Sequence, residues 1–503
     1  MKPLLTRYLL AVGGAVLASL AFPQPGIGLL MFVGLPMMVF AFRGARWSTA
    51  ALLGLVTGFV YYGVVARWLT IYLGVVPWLG LVGMQAVIWV LGGVVLAAAW
   101  HGADRLNLHS VRGIMLAGTV LAAAWTAREA IAAQFPWGGF AWARISQSQA
   151  DTPFRYLATL FGMSGASAVI VLAVVVTVLL VQWGGTRRVL VTRVSIVTAG
   201  LLALLPIPYL MLASAPNGTF RVAAVQGNSD SALFSTARQG DAIQNHFDAM
   251  KAVSIGRVDA VVWPENAMDI NPLAYPQIAK FADYISTETD APFIFGTITE
   301  DGDKTFNSVL QWEAGKGAVD QYDKVHPVPF AEYLPARDFF YPLAPDMFDM
   351  VPRDYTLGTR DPIFEFGDVR AGISICYDIV DDGLFRSMLT QGANVIIAPT
   401  NNSDFGHTDE NIQQLGIARM RAVETGRAVV NTSTVGVSAI IAPDGGDIDR
   451  LTPFEPGVML ADVPLSTVVT PASVIGLPLE WALIIGGVVP VFAPLLRRRG
   501  IDV

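Results

Sequence analysis

A carboxylate, an amine and a thiol occur in three short segments of the chain, each at a predicted strand end or in the loop that follows it. The segments are 261–266 with Glu265, 322–335 with Lys324, and 372–378 with Cys376. A thiol can attack a carbonyl carbon if a base takes its proton and a positive group holds the developing oxyanion. A carboxylate that is desolvated at a strand end has a raised pKa, which suits a general base near neutral pH. These residue types together predict covalent catalysis by Cys376, supported by Glu265 and Lys324.

Cys376 is the only cysteine in the chain, so it has no intramolecular disulfide partner. Two interpretations stay open for it: an inert cysteine packed in a core, and a nucleophile. A strand-to-helix turn favours the nucleophile, because a helix N-terminus stabilises a thiolate and nearby backbone N–H groups can receive an oxyanion. A neighbouring Lys324 would act in the same direction. We therefore expect the thiol to be ionised.

The five histidines offer weaker alternatives for the base. A Cys–His arrangement that uses His326 or His407 stays open. No two histidines have the spacing of metal ligands, so the sequence predicts neither a metal site nor a cofactor.

The three segments belong to a part of the chain in which strand and helix patterns alternate. Several strands are almost wholly apolar, as expected when both faces of a sheet are covered. The predicted strands are Phe220–Val225, Ala260–Trp263, Phe293–Thr297, Ser308–Trp312, Arg370–Cys376, Val395–Pro399, Ala428–Asn431, Ser438–Ile441 and Val458–Val463. The predicted helices are Asp241–Val253, Pro272–Thr287, Asp382–Gln391 and Glu410–Thr425. This region is predicted to be an α/β domain that is large enough for its own core.

The remainder of the chain is more apolar than a soluble protein. Of 503 residues, 53% are hydrophobic and 15% are charged, against roughly 25% charged in a typical soluble domain. A helix needs roughly 20 apolar residues to span a bilayer. Eight segments are candidates: Leu9–Phe22, Ile27–Phe42, Ala50–Val65, Pro77–Trp100, Gly113–Ala133, Leu157–Trp183, Leu190–Leu212 and Val474–Leu496. The first two are short and separated by Pro23 and Pro25, so a hairpin is the alternative to two full spans.

The distribution of charge predicts the orientation in the membrane. Residues 1–214 hold three acids and 13 bases, whereas residues 215–473 hold 35 acids and 17 bases. Lys and Arg are retained on the cytoplasmic side, and the loops that alternate with the most basic ones lie outside. The predicted organisation is a membrane helix bundle (1–214), an extracytoplasmic catalytic domain (215–473), and a last helix with a basic cytoplasmic tail (474–503). A cleaved signal peptide is the alternative for the N-terminus.

Other classes of protein are favoured less. A transporter usually carries ionisable residues within its spans, and Glu129 is the only acid expected at membrane depth. Nucleic-acid binding is not expected, because the α/β domain has no basic patch. A single helix would suffice as an anchor, so direct contact of the bundle with a lipid substrate stays open beside plain anchoring.

The three segments, in this order, resemble the nitrilase superfamily, whose carbon–nitrogen hydrolase domains use a Glu–Lys–Cys triad and form an αββα sandwich. The resemblance runs from Phe220 to about Val463 and includes residues 431–438 and 442–445. With about seven membrane helices before it and one after it, the domain is similar to the apolipoprotein N-acyltransferase family. This resemblance implies a multi-pass protein of the bacterial cytoplasmic (inner) membrane, with its catalytic domain on the periplasmic face. It implies transfer of a fatty acyl chain from a phospholipid, of the phosphatidylethanolamine type, to a diacylated apolipoprotein.

The same resemblance implies roles for individual residues. The implied catalytic residues are Glu265 as general base, Lys324 as oxyanion stabiliser, Cys376 as the nucleophile that carries a thioester, and Glu332 as support for the lysine. The implied substrate-binding residues are Tyr377, Asp378 and Phe234. Asp378 stands where many members have Glu, and Phe234 stands near the place of a Trp found in some members. Residues 401–408 resemble a mobile loop near the thiol.

Two further functions stay open from the sequence. One is a membrane-tethered amidase or nitrilase that uses the same triad with water as the acceptor. The other is a transporter or lipid scaffold whose outer domain only binds. Thioester aminolysis as opposed to hydrolysis separates the first from an acyltransferase, and full activity of a Cys376→Ala protein would indicate the second.

Overall fold

A computed structural model describes residues 2–214, 216–230, 232, 235–350 and 354–498. The chain forms two compact units. One unit comprises Met1–Met211 and Thr470–Val503, and the other comprises Leu212–Val469.

The first unit is a bundle of apolar helices. Its helices before the α/β domain are α1 (Lys2–Ser19), α2 (Met31–Ala41), α3 (Trp47–Val65), α4 (Thr70–Leu73), α5 (Val75–Ala103), α6 (Val111–Gln134), α7 (Leu157–Gln182), α8 (Arg187–Ala203) and α9 (Pro206–Ala213). Among the described residues, six helical segments are long and apolar enough to cross a membrane: Trp47–Val65, Val75–Ala103, Val111–Gln134, Pro153–Gln182, Arg187–Ala213 and Pro471–Pro490. The first two predicted spans correspond to shorter apolar helices, Leu4–Ser19 and Gly28–Ala41. The predicted polytopic helical architecture is confirmed.

Glu129, the acid expected at membrane depth, is buried on α6 and held by its neighbours. Its Oε1 accepts hydrogen bonds from Trp125 Nε1 at 2.9 Å, the Ile145 N–H at 3.1 Å and Arg128 Nη2 at 3.3 Å. The Arg128 guanidinium in turn lies 4.4 Å from the ring centroid of Trp89. A buried ion pair needs such additional partners to offset its desolvation. The pair therefore ties α6 to the segment that follows it.

The second unit contains two six-stranded sheets. The strands are β1 (Pro216–Gln226), β2 (Ala260–Val262), β3 (Phe293–Asp301), β4 (Lys304–Glu313), β5 (Gly317–Asp323), β6 (Ile363–Phe366), β7 (Val369–Ile373), β8 (Val395–Thr400), β9 (Val429–Ser433), β10 (Ala439–Ile441), β11 (Asp447–Arg450) and β12 (Gly457–Ser466). The first sheet has the order β12-β1-β2-β3-β4-β5 and the second has the order β11-β10-β9-β8-β7-β6. The centre of each sheet is parallel, β1-β2-β3 in the first and β7-β8-β9 in the second, with antiparallel strands outside.

Helices cover the outer faces of the two sheets. The helices of this unit are α10 (Asp241–Lys251), α11 (Pro276–Thr289), α12 (Arg337–Phe340), α13 (Pro345–Phe348), α14 (Asp382–Thr390) and α15 (Glu410–Thr425). Helices α10 and α11 pack on the first sheet, α14 and α15 pack on the second, and β1 packs against β9 between the sheets. The predicted αββα sandwich is confirmed. After β12 the chain continues into the apolar helix α16 (Pro471–Arg498), which belongs to the first unit.

The buried strands explain why two layers of helix are needed. The residues of β2 and nearly all of β8 and β9 are fully buried, so both faces of these strands are covered. On the first sheet, Trp263, Phe293 and Phe295 form the centre of a core with Ile243 of α10 and Ile285 of α11. Burial on this scale stabilises each large side chain by roughly 1.5–3 kcal/mol. Polar side chains lie at the ends of these strands, outside the core.

Candidate active site

The carboxyl ends of parallel strands bring the three predicted residues to one region. Glu265 follows β2, and Lys324 directly follows β5, which runs in the same direction as β2 because two antiparallel pairings separate it from β3. Cys376 follows β7 of the other sheet. The carboxyl ends of the strands in the two sheets contact each other. The hydroxyl of Thr434, which follows β9, donates to the Glu265 backbone carbonyl at 2.6 Å. The topology thus places a base candidate, an amine and a thiol around one point.

Lys324 lies between two glutamates. Its Nζ is 3.1 Å from Oε1 of Glu265, and it is 3.0 and 2.9 Å from the two carboxylate oxygens of Glu332. Lys324 and Glu265 are only 1% and 3% exposed. Glu332 is further held by the Val328 backbone N–H, which donates to its Oε2 at 2.6 Å. The structure therefore joins three of the four residues predicted to be catalytic in one buried ionic network.

Asn307 on β4 completes this network and was not singled out from the sequence. Its Nδ2 donates to Glu265 at 2.6 Å and to Glu332 at 3.1 Å. Its backbone carbonyl accepts from the Lys324 N–H at 2.8 Å. The Asn307 amide thus bridges the two carboxylates together with Lys324. An asparagine within a strand gives no local signal of this role, because the role depends on the register of β4 with β5.

Burial and the opposite charges act against each other on these groups. Burial raises the pKa of Glu265, and the nearby Lys324 only partly offsets this, so the carboxyl keeps a raised pKa. Burial alone would lower the pKa of Lys324, but Glu265 and Glu332 more than offset it and hold that pKa well above its usual value. The lysine is therefore a permanent cation, and the glutamate is a stronger proton acceptor than an exposed one.

The Cys376 thiol is neutral, contrary to the expectation that it is ionised. Burial, followed by the negative charge of Glu265, raises the pKa of Cys376 to about 12, and Lys324 offsets only part of this. The expected helix N-terminus is also not at the thiol. Cys376 opens a five-residue 3-10 turn, Cys376–Val380, and α14 begins only at Asp382. The prediction of a thiolate at rest was wrong because desolvation outweighs one lysine at this position.

Asp378 holds the turn that carries the thiol. Cys376 has φ 49°, a left-handed conformation that costs a non-glycine residue about 1–3 kcal/mol. Asp378 accepts from the Ile375 N–H at 3.2 Å, from the Tyr322 hydroxyl at 2.9 Å and from the His326 N–H at 2.8 Å. Burial raises the pKa of Asp378 to about 6. These contacts tie the turn of Cys376 to β5 and to the loop after Lys324.

The predicted substrate-binding residues that the structure describes differ in their exposure. Tyr377 is half-buried beside Cys376. Asp378 is fully buried, and its carboxylate is directed to interior donors rather than to an accessible surface. Phe234 lies outside the described residues. Residues 401–408, predicted as a mobile loop, include a short 3-10 turn at Ser403–Phe405 and a buried Asn402.

The histidine alternatives are not found at the thiol. His326 Nε2 is 2.6 Å from Oδ2 of Asp381. Burial would lower the pKa of His326, but this contact more than offsets it and raises the pKa. The ring of His407 packs on Phe454, with centroids 3.7 Å apart. Both rings are therefore engaged elsewhere. Of the predicted base candidates, Glu265 is the one whose charge acts on Cys376, and the charge of Glu410 acts on it to a smaller extent.

Two known families match successive parts of the chain. Residues 221–470 match the carbon-nitrogen hydrolase family, and residues 14–176 match the apolipoprotein N-acyltransferase N-terminal domain. An apolipoprotein N-acyltransferase of Mycolicibacterium smegmatis is 35% identical over 306 residues, which cover 55% of this chain and half of that relative. One of Geobacter metallireducens is 28% identical over 98% of this chain and 96% of its own length. A solved amidase structure from Nesterenkonia, of the nitrilase superfamily, has a TM-score of 0.37 at 18% identity and covers 50% of this chain and 93% of that chain.

The second unit is thus a carbon–nitrogen hydrolase domain of the nitrilase superfamily, carried by a bundle of membrane helices. The match of both parts of the chain defines the protein more closely. It belongs to the apolipoprotein N-acyltransferase family.

Proposed function

We propose that the protein moves a fatty acyl chain from a phospholipid to the N-terminal amine of a diacylglyceryl-cysteine lipoprotein, through a thioester on Cys376. The observation that carries this proposal is a buried Glu265–Lys324 pair whose charges act on the only thiol of a chain with membrane helices. Membership in the family supports the same reaction.

In the first step, Glu265 accepts the thiol proton as Sγ of Cys376 attacks the ester carbonyl carbon of the phospholipid. The carbonyl π electrons move to oxygen, and the cation of Lys324 stabilises the resulting oxyanion. When this intermediate collapses, the bond to the lysophospholipid oxygen breaks, and Glu265 returns its proton to that leaving oxygen. The products are the thioester and a lysophospholipid.

In the second step, the uncharged lipoprotein amine attacks the thioester carbonyl. Glu265 takes a proton from the nitrogen, and Lys324 again holds the oxyanion. Collapse then breaks the carbon–sulfur bond, and the sulfur regains a proton from Glu265. An amide forms, and the resting thiol is restored. The raised pKa of Glu265 suits a group that must both take and return a proton.

A surface segment of the same domain supports a lipid donor. Between β5 and β6 the chain carries Glu332, α12, a 3-10 turn at Tyr341–Leu343 and α13. Phe339 of α12 and Leu343 of the turn are 66% and 70% exposed. Phe330 packs edge-on against Phe340 in this segment, with centroids 4.9 Å apart. Exposed apolar side chains of this kind suit contact with acyl chains or a bilayer surface. We propose that this segment lies at the outer face of the bacterial cytoplasmic membrane.

The orientation can be tested with added protease. The exposed segment 337–350 should be cleaved in spheroplasts, where the outer face is accessible, and protected in inverted vesicles. Cleavage in inverted vesicles alone would place the catalytic domain in the cytoplasm and contradict the proposal.

The acyl transfer is tested by intact-mass analysis of the full-length protein after incubation with phospholipid alone. We expect one added acyl mass, which a diacylated lipopeptide removes as it becomes N-acylated. Cys376→Ala and an ether-linked phospholipid are the controls, and neither should give an adduct. Loss of the adduct to water at the same rate with and without lipopeptide would indicate a hydrolase instead. An acyl adduct that persists on Cys376→Ala would exclude the thioester.

A further inference from the structure

Gln414 on α15 contacts the nucleophile directly. Its Nε2 lies 3.5 Å from Sγ of Cys376, within hydrogen-bond distance of a sulfur acceptor. Its Oε1 accepts from the Thr400 hydroxyl at 3.0 Å and from Asn402 Nδ2 at 2.8 Å. Because two donors occupy the amide oxygen, the amide nitrogen is the end that faces the sulfur.

Asn402 is itself held in one orientation. Its Nδ2 donates to Oε2 of Glu410 at 2.6 Å as well as to Gln414, and its Oδ1 accepts from the Ser433 hydroxyl at 2.8 Å. A flipped Asn402 would turn its oxygen towards two other oxygens. Glu410 and Asn402 are 3% and 1% exposed, so water does not replace these contacts. The chain of contacts therefore runs from Glu410 through Asn402 and Gln414 to the thiol.

Glu410 accepts the hydrogen bond from Asn402 without carrying a full charge at neutral pH. Burial raises the pKa of Glu410 to about 8. The neutral acid keeps a carbonyl oxygen that accepts from Asn402 as the carboxylate does. Glu410 and Gln414 are one helical turn apart, which places both on the same face of α15.

The sulfur needs a donor of this kind at two points in the reaction. It carries negative charge as it attacks the ester and again as it leaves the thioester. Lys324 is already engaged by Glu265 and Glu332, so much of its charge is compensated. A preoriented neutral amide adds stabilisation without adding another charge to desolvate.

We propose that Gln414 is a catalytic residue whose amide donates to Sγ of Cys376 and stabilises the anionic sulfur, and that Glu410 is a positioning residue that acts through Asn402. The hydrogen bond to the sulfur is a property of the domain, whereas its use in both acyl-transfer steps rests on the proposed function.

Alkylation tests the hydrogen bond separately from acyl transfer. Cys376 is the only cysteine, so iodoacetamide applied to the full-length protein reports on one thiol. Below the thiol pKa the rate follows the thiolate fraction, and losing a hydrogen bond to a charged group raises the pKa by about one unit. Gln414→Met should therefore be alkylated about tenfold more slowly than the natural protein at each pH from 7 to 9. Gln414→Glu, which keeps the shape but replaces the donor, should be slower still.

Gln311→Met is the matched control, since Gln311 is also a buried glutamine of this domain but donates to the Glu365 backbone carbonyl. It should be alkylated at the natural rate, and thermal melting of each variant reports on folding. Natural alkylation rates in both folded Gln414 variants would overturn the proposal for Gln414. Equal slowing of Gln311→Met would also overturn it, by showing a general effect of a lost buried amide.

The role of Glu410 is tested by a pair of variants. At pH 7, where Glu410 is mostly neutral and its charge does not oppose the thiolate, Glu410→Leu removes the acceptor of Asn402 and should slow alkylation by about threefold to tenfold, because the Gln414 amide is no longer fixed. Glu410→Gln keeps an acceptor oxygen and should recover most of that loss. Equal alkylation rates in Glu410→Leu and the natural protein would overturn the positioning role.

Acyl-enzyme formation and its release by lipopeptide are then measured in the same variants. Slowing of both steps in Gln414→Met supports the use of the amide in each. If the natural protein forms no acyl-enzyme while Gln414→Met still alters alkylation, the proposed function fails and the hydrogen bond stands. If acyl transfer proceeds and alkylation is unaltered, the inference about Gln414 fails alone.

Discussion

The two sheets of the catalytic domain contribute unlike parts of one site. The first sheet supplies a charged side, which consists of Glu265, Lys324 and Glu332 with the amide of Asn307 between the carboxylates. The second sheet supplies a neutral side, which consists of Cys376 with the donors Gln414, Thr400 and Asn402. On the charged side each ion has an ionic partner. On the neutral side Glu410, which holds Asn402, has its pKa raised to about 8.

This difference shows how a partly buried thiol can be both stable and reactive. An isolated thiolate would be costly in this setting, and the pKa of Cys376 is accordingly raised to about 12. On the charged side, the base Glu265 and the cation Lys324 are held in place by their own ionic network. The proton is therefore moved only when a carbonyl is present to receive the electrons of the sulfur, so the thiol need not be ionised in advance.

The largest effect is expected from Lys324→Met. The change leaves the buried Glu265 and the partly buried Glu332 without their cation, and removing one partner of a buried ion network costs about 3–5 kcal/mol. Acyl-enzyme formation should also be lost, because the oxyanion has no cation. The melting temperature and the rate of adduct formation measure these two effects.

A double variant shows whether the stability loss comes from unpaired charge. Lys324→Met combined with Glu265→Gln leaves one acid instead of two, and it should recover part of the lost stability but no activity. If the charges are not coupled, Glu265→Gln lowers stability by the same amount in Lys324→Met as in the natural protein. That result would show that the charged side is not one network.

Glu265→Gln should slow acyl-enzyme formation by about 10²–10⁴ fold, the usual contribution of a general base. The amide keeps the volume and can still accept from Asn307, so folding should be affected less than by Lys324→Met. In the natural protein the rate should rise with pH through the raised pKa of Glu265, and this limb should vanish in the variant. Single-turnover measurements of the acyl adduct from pH 4 to 9 test this. If the rate of acyl-enzyme formation in Glu265→Gln still rises with pH at the same midpoint, another group is the base.

Glu410 on the neutral side should give a pH effect on stability. The folded protein holds its proton up to about pH 8, whereas an unfolded glutamate loses it near its ordinary value of 4.5. The stability that this proton contributes is therefore complete at low pH and declines as pH rises towards 8. Relative to Glu410→Gln, the natural protein should lose about 4–5 kcal/mol over this interval. Cys376 and Glu265 face the same acid, so the comparison is made within Cys376→Ala as well. A constant difference in melting temperature from pH 5 to 9 would contradict it.

The fold and the triad of Glu265, Lys324 and Cys376 could be predicted from the sequence, whereas the amides that hold these residues could not. Apolar strands with Glu265 and Lys324 at their ends, and Cys376 in a turn, are local patterns. Helix α15 was also predicted with its observed bounds, Glu410–Thr425. The contact between Gln414 and the thiol depends instead on how α15 packs against the turn after β7, which no local pattern records.

The ionisation of Cys376 and the placement of Asp378 were beyond the sequence for a related reason. Both depend on desolvation, which only the assembled domain determines. A strand-to-helix turn suggested a helix N-terminus at the thiol, but the 3-10 turn at Cys376–Val380 intervenes. Asp378 was predicted to bind substrate, and its carboxylate accepts three hydrogen bonds that hold this turn from the inside.

The smallest effect is expected from Asp378→Asn, which decides between these two roles. The amide has one acceptor oxygen where the carboxylate serves three donors, from Tyr322, His326 and Ile375. One buried donor is left weakly paired, so stability should fall by about 1 kcal/mol and acyl-enzyme formation by a few fold. Burial raises the pKa of Asp378 to about 6, so the natural protein should resemble the variant more closely below pH 6 than above it. A support role predicts a lower melting temperature with an unchanged KM for phospholipid. A raised KM with an unchanged melting temperature would return Asp378 to substrate binding, because a residue that contacts only the substrate does not hold the turn of Cys376.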